Sequence, residues 1–207
     1  MPKSPRMDRR QEAYCLQHSS TAPELLERLE HETHRQTLKP RMLSGALQGR
    51  FLASLSRMLK PHYVLEVGTF TGYSALCLAE GLRPDGELHT LELNRELAPR
   101  IERYFQASSF ASQLHLHLGG AADTLKNLVR PWNMVFLDAD KERYSAYFDL
   151  IWPHMPVGAW LIADNVLWSG KVWQENTKVD RKTQALQDFN RKIQLRSDAQ
   201  NVLLPLR

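Results

Sequence analysis

The stretch Val64–Ala75, "VLEVGTFTGYSA", decides the fold. It opens as a short strand, Val64 to Val67, turns on Gly68 and Gly72, and continues as a helix from Tyr73. Glycine admits positive φ and close backbone approach, so this is a strand, tight turn and helix in which a ligand can sit against the turn. The same alternation continues outward. Apolar runs at residues 63–67 (YVLEV), 88–93 (LHTLEL), 114–118 (LHLHL), 133–138 (NMVFLD) and 159–164 (AWLIAD) read as strands. Residues 72–82, 95–107, 121–129 and 142–152, which separate them, carry helical spacing. Such alternation implies an α/β fold: a Rossmann-like, doubly wound, mostly parallel sheet with right-handed crossovers. Ligands in such sheets gather outside the carboxyl ends of the strands.

Upstream, Thr21 and Glu24 have capping-box spacing in "TAPELLERLEHET", with Pro23 tolerated in the first turn. Leu47, Phe51, Leu52, Leu55, Met58 and Leu59 recur at helical spacing, predicting a second amphipathic helix. Both are expected to pack against the sheet layer. Residues 1–20 are polar and expected to be loosely held, ahead of a single domain over 21–207.

Composition excludes several classes. With 207 residues, 43% hydrophobic and 24% charged, the chain is long enough for one well-packed domain and too apolar for disorder. The net charge of +4 is dispersed, with Arg6, Arg9 and Arg10 its one local cluster, which disfavours a nucleic-acid surface. Cys15 and Cys77 offer no disulfide framework, and Cys77 reads as a buried thiol on an apolar helix face. No run approaches the roughly 20 apolar residues of a membrane span, and the segment "MPKSPRMDRRQEAYC" has no apolar core of signal-peptide length. A cytoplasmic location is the resulting expectation.

The strand ends carry the chemistry. Glu92 closes its strand about twenty residues after the glycine turn, where an acid can accept both hydroxyls of a ribose. A dinucleotide would need a glycine where Phe70 stands, and Glu66 beside the turn is a poor neighbour for a diphosphate. An acidic end suits a cofactor with an ammonium group, as in S-adenosylmethionine. Asp138, Asp164 and Asn165 supply hard oxygen donors from two strand ends, a set for Mg²⁺, Mn²⁺ or Ca²⁺ in preference to zinc. Asp140 also fits as a simple cap for the helix that begins near Glu142. Trp168 and Trp173 follow in a loop, where an aromatic wall and core packing are both open for Trp168. His62, His89, His115 and His117 show no ligand-like spacing, so structural or surface roles are expected of them.

Together, "LEVGTFTGYSALCLAEGL", "LELN", "FLDADKERY" and "DNVLWSGKV", in this order and spacing, resemble the cation-dependent O-methyltransferases. That family includes catechol and caffeoyl-coenzyme A O-methyltransferases and short bacterial relatives. The resemblance runs from about Met42 to the C-terminus. It implies the class I S-adenosylmethionine-dependent methyltransferase fold with N-terminal helices, a catechol-type aromatic acceptor, no nucleic-acid or membrane partner, and a homodimer. It further implies cofactor contacts at Met42, Glu66, Gly68, Thr69, Tyr73, Ser74, Glu92, Ala122, Asp123, Asp138 and Asp140. Asp138, Asp164 and Asn165 match its metal ligands, Lys141 its general base, and Lys141, Asn165 and Trp168 border the acceptor. An ammonium is a poor base at neutral pH until a neighbouring cation disfavours its protonated form. In the family, "LLPLR" would lead into an Asp-Gly turn and a last antiparallel strand; that strand is expected to be missing from a sheet ending at Arg207, leaving strand edges unpaired. Three other readings compete. A non-catalytic nucleoside- and metal-binding module need not keep Lys141. A nucleic-acid methyltransferase would favour an Asn/Asp-Pro-Pro-aromatic motif where "DADK" stands. An NAD-dependent dehydrogenase is the most distant.

Overall fold

A computed structural model describes residues 9–174 and 179–205. Five strands form one fully parallel sheet: β1 (Tyr63–Val67), β2 (Glu87–Glu92), β3 (Leu114–Leu118), β4 (Met134–Leu137) and β5 (Trp160–Ala163). Their order in space is β3-β2-β1-β4-β5. The chain winds outward from β1 in one direction, returns, and winds outward through β4 in the other. The carboxyl ends of β1 and β4 therefore flank the switch point, where doubly wound sheets bind their ligands.

Alternation along the strands divides the core in two. Val64, Leu88, Met134 and Phe136 face one layer with Leu26 and Leu29 of α2 (Glu24–Gln36), Leu52 of α3 (Gly45–Leu59), α4 (Tyr73–Ala79), and Ile101 and Phe105 of α5 (Ala98–Gln106). Leu65, Leu91, Val135 and Leu137 face the opposite layer. That layer holds Leu125 of α6 (Ala121–Asn127), Tyr144 and Phe148 of α7 (Tyr144–Ile151), and Leu186 and Phe189 of α8 (Arg181–Gln194). Each fully buried large side chain of this kind contributes roughly 1.5–3 kcal/mol, and the middle strands are buried on both faces, as a parallel sheet requires.

Several expectations change. The polar N-terminal segment carries a helix, α1 (Arg9–Gln17), which packs near α3; Arg6 and the Arg9 side chain of the basic cluster lie outside the described residues. The Thr21–Glu24 capping box does not form, because helix α2 starts at Glu24 with Pro23 as its N-cap and no side-chain cap. In α3 the stripe is wider than the core it meets: Leu52 is buried, but Phe51 and Met58 face solvent. Helix α8 was not anticipated; Asp180 caps it by accepting from the Thr183 amide at 2.9 Å, and its charged exposed face hides the core residues Leu186 and Phe189. Cys77 is buried as expected, and burial pushes its thiol up to about 12. Among the described residues there is no antiparallel strand, and β5 is the half-exposed edge of the sheet. Arg207 lies outside the described residues.

Candidate active site

The switch point is closed by contact between two backbones. Gly68 has φ +105, and a Cβ there would stand 2.3 Å from the Asp138 carbonyl oxygen. Its amide donates to Leu91 O at 3.0 Å, while the Asp138 amide donates to Val67 O at 2.9 Å, so the turn and both strand ends are tied together. Phe70 itself takes a left-handed conformation, φ 53, uncommon for a bulky residue. Its amide donates to Glu92 Oε2 at 2.7 Å, and the Asn94 amide to Oε1 at 2.8 Å. Glu92 is thus fixed at the end of β2 beside the turn. Burial raises its carboxyl above the usual range, against the pull of these amides.

Glu66 is completely buried on β1. Burial pushes its carboxyl up to about 8, against the pull of Ser74 and Thr90 and with the charges of Asp138 and Glu92 adding to the rise. Thr90 donates to Oε2 at 2.5 Å and shares a 2.5 Å contact with the Thr69 hydroxyl, while Oε1 has no hydrogen-bond partner. A buried carboxyl oxygen without a hydrogen-bond partner is costly unless a ligand supplies one, and a cationic partner would also favour the ionised form. A cofactor ammonium fits that need.

The other expected cofactor residues separate. Ser74 is buried at the start of α4, and Thr69 turns toward Thr90. The Tyr73 ring packs on Gly49 of α3 and belongs to the core; burial raises its hydroxyl. Ala122 and Asp123 open α6, and Asp123 is exposed and paired with Lys126. Met42 sits half-exposed on the turn Pro40–Met42. Asp140 caps the turn Lys141–Arg143, accepting from the Glu142 amide, and pairs with Arg143, which matches the capping reading.

Asp138 and Asp164 each follow the register pair Leu137↔Ala163 of adjacent parallel strands, roughly 4.8 Å apart. The Asp164 amide donates to Leu137 O at 2.9 Å. Asn165, next in the chain, is left-handed with φ 58 and donates its amide to Asp164 Oδ1 at 2.6 Å. Gln48 of α3 donates to Asp164 Oδ2 at 3.1 Å. Two carboxylates and an amide oxygen at one sheet end are the donor chemistry of a hard divalent cation.

Lys141 is buried beside this set. Its Nζ donates to Asp138 Oδ1 at 2.7 Å and to the Tyr144 hydroxyl at 2.6 Å. The Tyr144 hydroxyl in turn lies 2.9 Å from Leu137 O and 3.0 Å from Asp164 O. Burial, then the charges of Asp138 and Asp164, hold that phenol well above its usual range, so it stays a neutral bridge between both strand ends. Trp168 and Trp173 bound a turn rather than an open loop. Trp168 packs against the second core layer with its indole nitrogen buried and unpartnered, while Trp173 is exposed.

Sequence reasoning missed Gln48 and Tyr144. Tyr144 follows Lys141 by three residues, one helical turn, which was a usable signal; Gln48 lies 116 residues from Asp164 and gave none. His89 is buried beside Trp132, in keeping with a structural role, and with His115 on the neighbouring strand and Glu87 it brings ligand atoms within 4.8 Å of one another.

Comparisons with known proteins agree with this architecture. A sequence model of the O-methyltransferase family matches residues 16–207. The chain is 35% identical over 147 residues to a catechol O-methyltransferase of Niastella koreensis, covering 69% of this chain and 66% of that one. It is also 35% identical over 142 residues to the catechol O-methyltransferase of Mycobacterium tuberculosis, covering 68% and 64%. The chain thus spans just under two thirds of the length of these relatives. Among solved structures, the O-methyltransferase TomG of Streptomyces achromogenes, in complex with SAM, superposes with a TM-score of 0.85 at 30% identity, covering 95% of this chain and 89% of that one. SAH-bound methyltransferase PaMTH1 of Podospora anserina gives a TM-score of 0.87 at 27% identity, covering 96% and 90%. The fold is the Rossmann-like class I methyltransferase fold.

Proposed function

The chain belongs to the O-methyltransferase family, and on that premise we propose that it methylates one hydroxyl of a catechol-type aromatic acceptor, using S-adenosylmethionine and a divalent cation. The observation that carries this reading is the joining of Lys141 to Asp138, and through Tyr144 to Asp164, at the carboxyl ends of β4 and β5. A base candidate and a hard-oxygen donor set in direct contact fit deprotonation of a chelating hydroxyl.

S-adenosylmethionine would supply a sulfonium methyl, and a Mg²⁺, Mn²⁺ or Ca²⁺ ion would supply positive charge that favours the acceptor's phenolate. The residues of the chain do the rest. Glu66 Oε1 accepts from the cofactor ammonium, and Glu92, oriented by the Phe70 and Asn94 amides, accepts from the ribose hydroxyls. Gly68 keeps the turn low beside Asp138, while Met42, Thr69, Tyr73, Ser74, Ala122, Asp123 and Asp140 remain proposed neighbours of the cofactor. Asp138, Asp164 and Asn165 would hold the cation, with Gln48 steadying Asp164. With the cation held beside it disfavouring its charged form, Lys141 Nζ would give up its own proton to solvent and, as the neutral amine, take the phenolic proton, while the Tyr144 hydroxyl holds Nζ in place. Trp168 is the proposed wall for the acceptor ring. Because methyl transfer is an in-line displacement, this positioning supplies much of the rate.

The relatives named for catechol methylation support the acceptor class. The homodimer is also proposed, with exposed Tyr14, Phe51 and Met58 on the N-terminal helices as its apolar surface. Among the described residues no helix is long and apolar enough to cross a membrane. The test is transfer of labelled methyl from S-adenosylmethionine to a catechol panel by the parent chain and by Lys141→Ala. Product from the parent and almost none from a folded, cofactor-binding Lys141→Ala supports the reading; equal turnover would contradict it.

A further inference from the structure

We propose that Glu87, His89 and His115 form a second metal site, for a transition metal such as zinc, on the sheet face that α6 partly covers. The parallel register sets His89 of β2 directly beside His115 of β3, and alternation puts Glu87 two residues earlier on the same face. Their ligand atoms all lie within 4.8 Å of one another. Ligands of a tetrahedral zinc ion at ~2.1 Å are separated by roughly 3.4 Å, so the set must close by about an ångström, and the His115 ring, stacked on His89 at 4.7 Å and 26°, must also turn to aim a nitrogen at the ion. The half-exposed Glu87 and His115 can make that movement, while buried His89 is fixed.

His89 is oriented as a ligand. Its Nε2 faces Glu87 Oε2 at 3.0 Å and its Nδ1 faces His117 Nε2 at 2.9 Å, with Trp132 edge-on to the ring at 5.6 Å. A ligating imidazole usually donates its other N–H to an acceptor that fixes its tautomer. His117, the next same-face residue of β3, fills that positioning role for His89. Two nitrogens and one carboxylate oxygen leave a fourth position open to water and suit zinc, cobalt or nickel better than magnesium.

This site is distinct from the strand-end acids. It lies in the first half of β2, three residues or about 10 Å before Glu92, and its donors are nitrogen-rich where the other set is all oxygen. An ion here would clip the edge strand β3 to β2. Arg130, with Nε 3.7 Å from Glu87 Oε2, holds the carboxylate in the absence of an ion.

The test uses the full chain carrying Asp164→Ala, which removes the proposed strand-end site, stripped of metal and then dialysed against micromolar Zn²⁺ or titrated with Co²⁺. The proposal expects one zinc ion per chain, a Co²⁺ absorption spectrum of tetrahedral intensity, and a raised Tm with zinc. Adding His115→Ala or, as a nearly isosteric second variant, Glu87→Gln should abolish or weaken that binding at least about tenfold. His117→Ala should keep the ion, shift the Co²⁺ spectrum and weaken affinity by roughly 10–100-fold. No zinc on the parent, or equal zinc on the parent and both folded ligand variants, would overturn the proposal.

Discussion

Lys141 Nζ stands 2.7 Å from Asp138 Oδ1, so the proposed base and a proposed metal ligand form one ion pair across a single turn of chain. Lys141 is tied on to the end of β5 by one hydroxyl, that of Tyr144, which reaches the Asp164 carbonyl. Removing the ammonium should therefore affect chemistry more than cofactor binding. Lys141→Ala is expected to lower kcat by roughly 10²–10⁴, the range of a lost acid–base group. Calorimetric titration should show S-adenosylmethionine affinity within about threefold of the parent, because Glu66 and Glu92 are untouched.

Tyr144→Phe removes the bridge and leaves the ring in the core, where it packs edge-on to Phe189. A hydrogen bond to a charged group contributes about 1.5–3 kcal/mol, so kcat should fall roughly ten- to hundredfold. Steady-state kinetics would show the loss, and an unchanged kcat would remove Tyr144 from the account.

Glu66 gives the cofactor-free protein a pH signature. Its folded carboxyl titrates at about 8, whereas an unfolded glutamate titrates near ~4.3. Between those values the folded chain holds the extra proton, so this group's contribution is complete at the acid end and is lost as pH rises to about 8. Glu66→Gln should flatten the dependence. Its Tm is expected to match the parent near about pH 5 and exceed it near about pH 9 in thermal melts without cofactor, while its cofactor affinity falls.

Gly68→Ala would place a methyl 2.3 Å from the Asp138 carbonyl at a left-handed φ. Neither backbone can yield without parting β1 from β4. A loss well above about 1 kcal/mol in denaturant unfolding is expected, together with weakened cofactor binding.

Gln48→Ala deletes one donor to Asp164. Loss of a hydrogen bond to a charged carboxylate, about 1.5–3 kcal/mol, should raise the cation concentration for half-maximal turnover by roughly ten- to hundredfold without abolishing activity. Activation curves against Mg²⁺ measure this directly.

The sheet was legible because its strands are short apolar runs, three of which end in acids (Glu92, Asp138 and Asp164), and the glycine turn at 68–72 fixed where the first crossover begins. What failed depended on neighbours distant in sequence. The stripe of α3 marked Phe51 and Met58 as core, yet only one side of that helix meets the sheet layer. The charged residues of α8 masked Leu186 and Phe189. His89 and His115 are 26 positions apart in the numbering, and only the β2–β3 register makes them neighbours. Gln48 reaches Asp164 by the packing of α3 over the sheet end, which no local pattern encodes. Asp138, Lys141, Asp164 and Asn165 stood out in the sequence because each follows an apolar run whose buried strand has no structural use for charged or amide side chains.

The acids at the ends of β4 and β5 are proposed to hold a cation required for methyl transfer. The most direct measurement is methyl transfer from S-adenosylmethionine to a catechol by the folded, cofactor-binding chain, first with Mg²⁺, then with excess EDTA, then with Mg²⁺ restored. Turnover, its loss and its return are expected in that order, with Asp164→Ala inactive throughout. Undiminished turnover in EDTA, or a fully active Asp164→Ala, would contradict it.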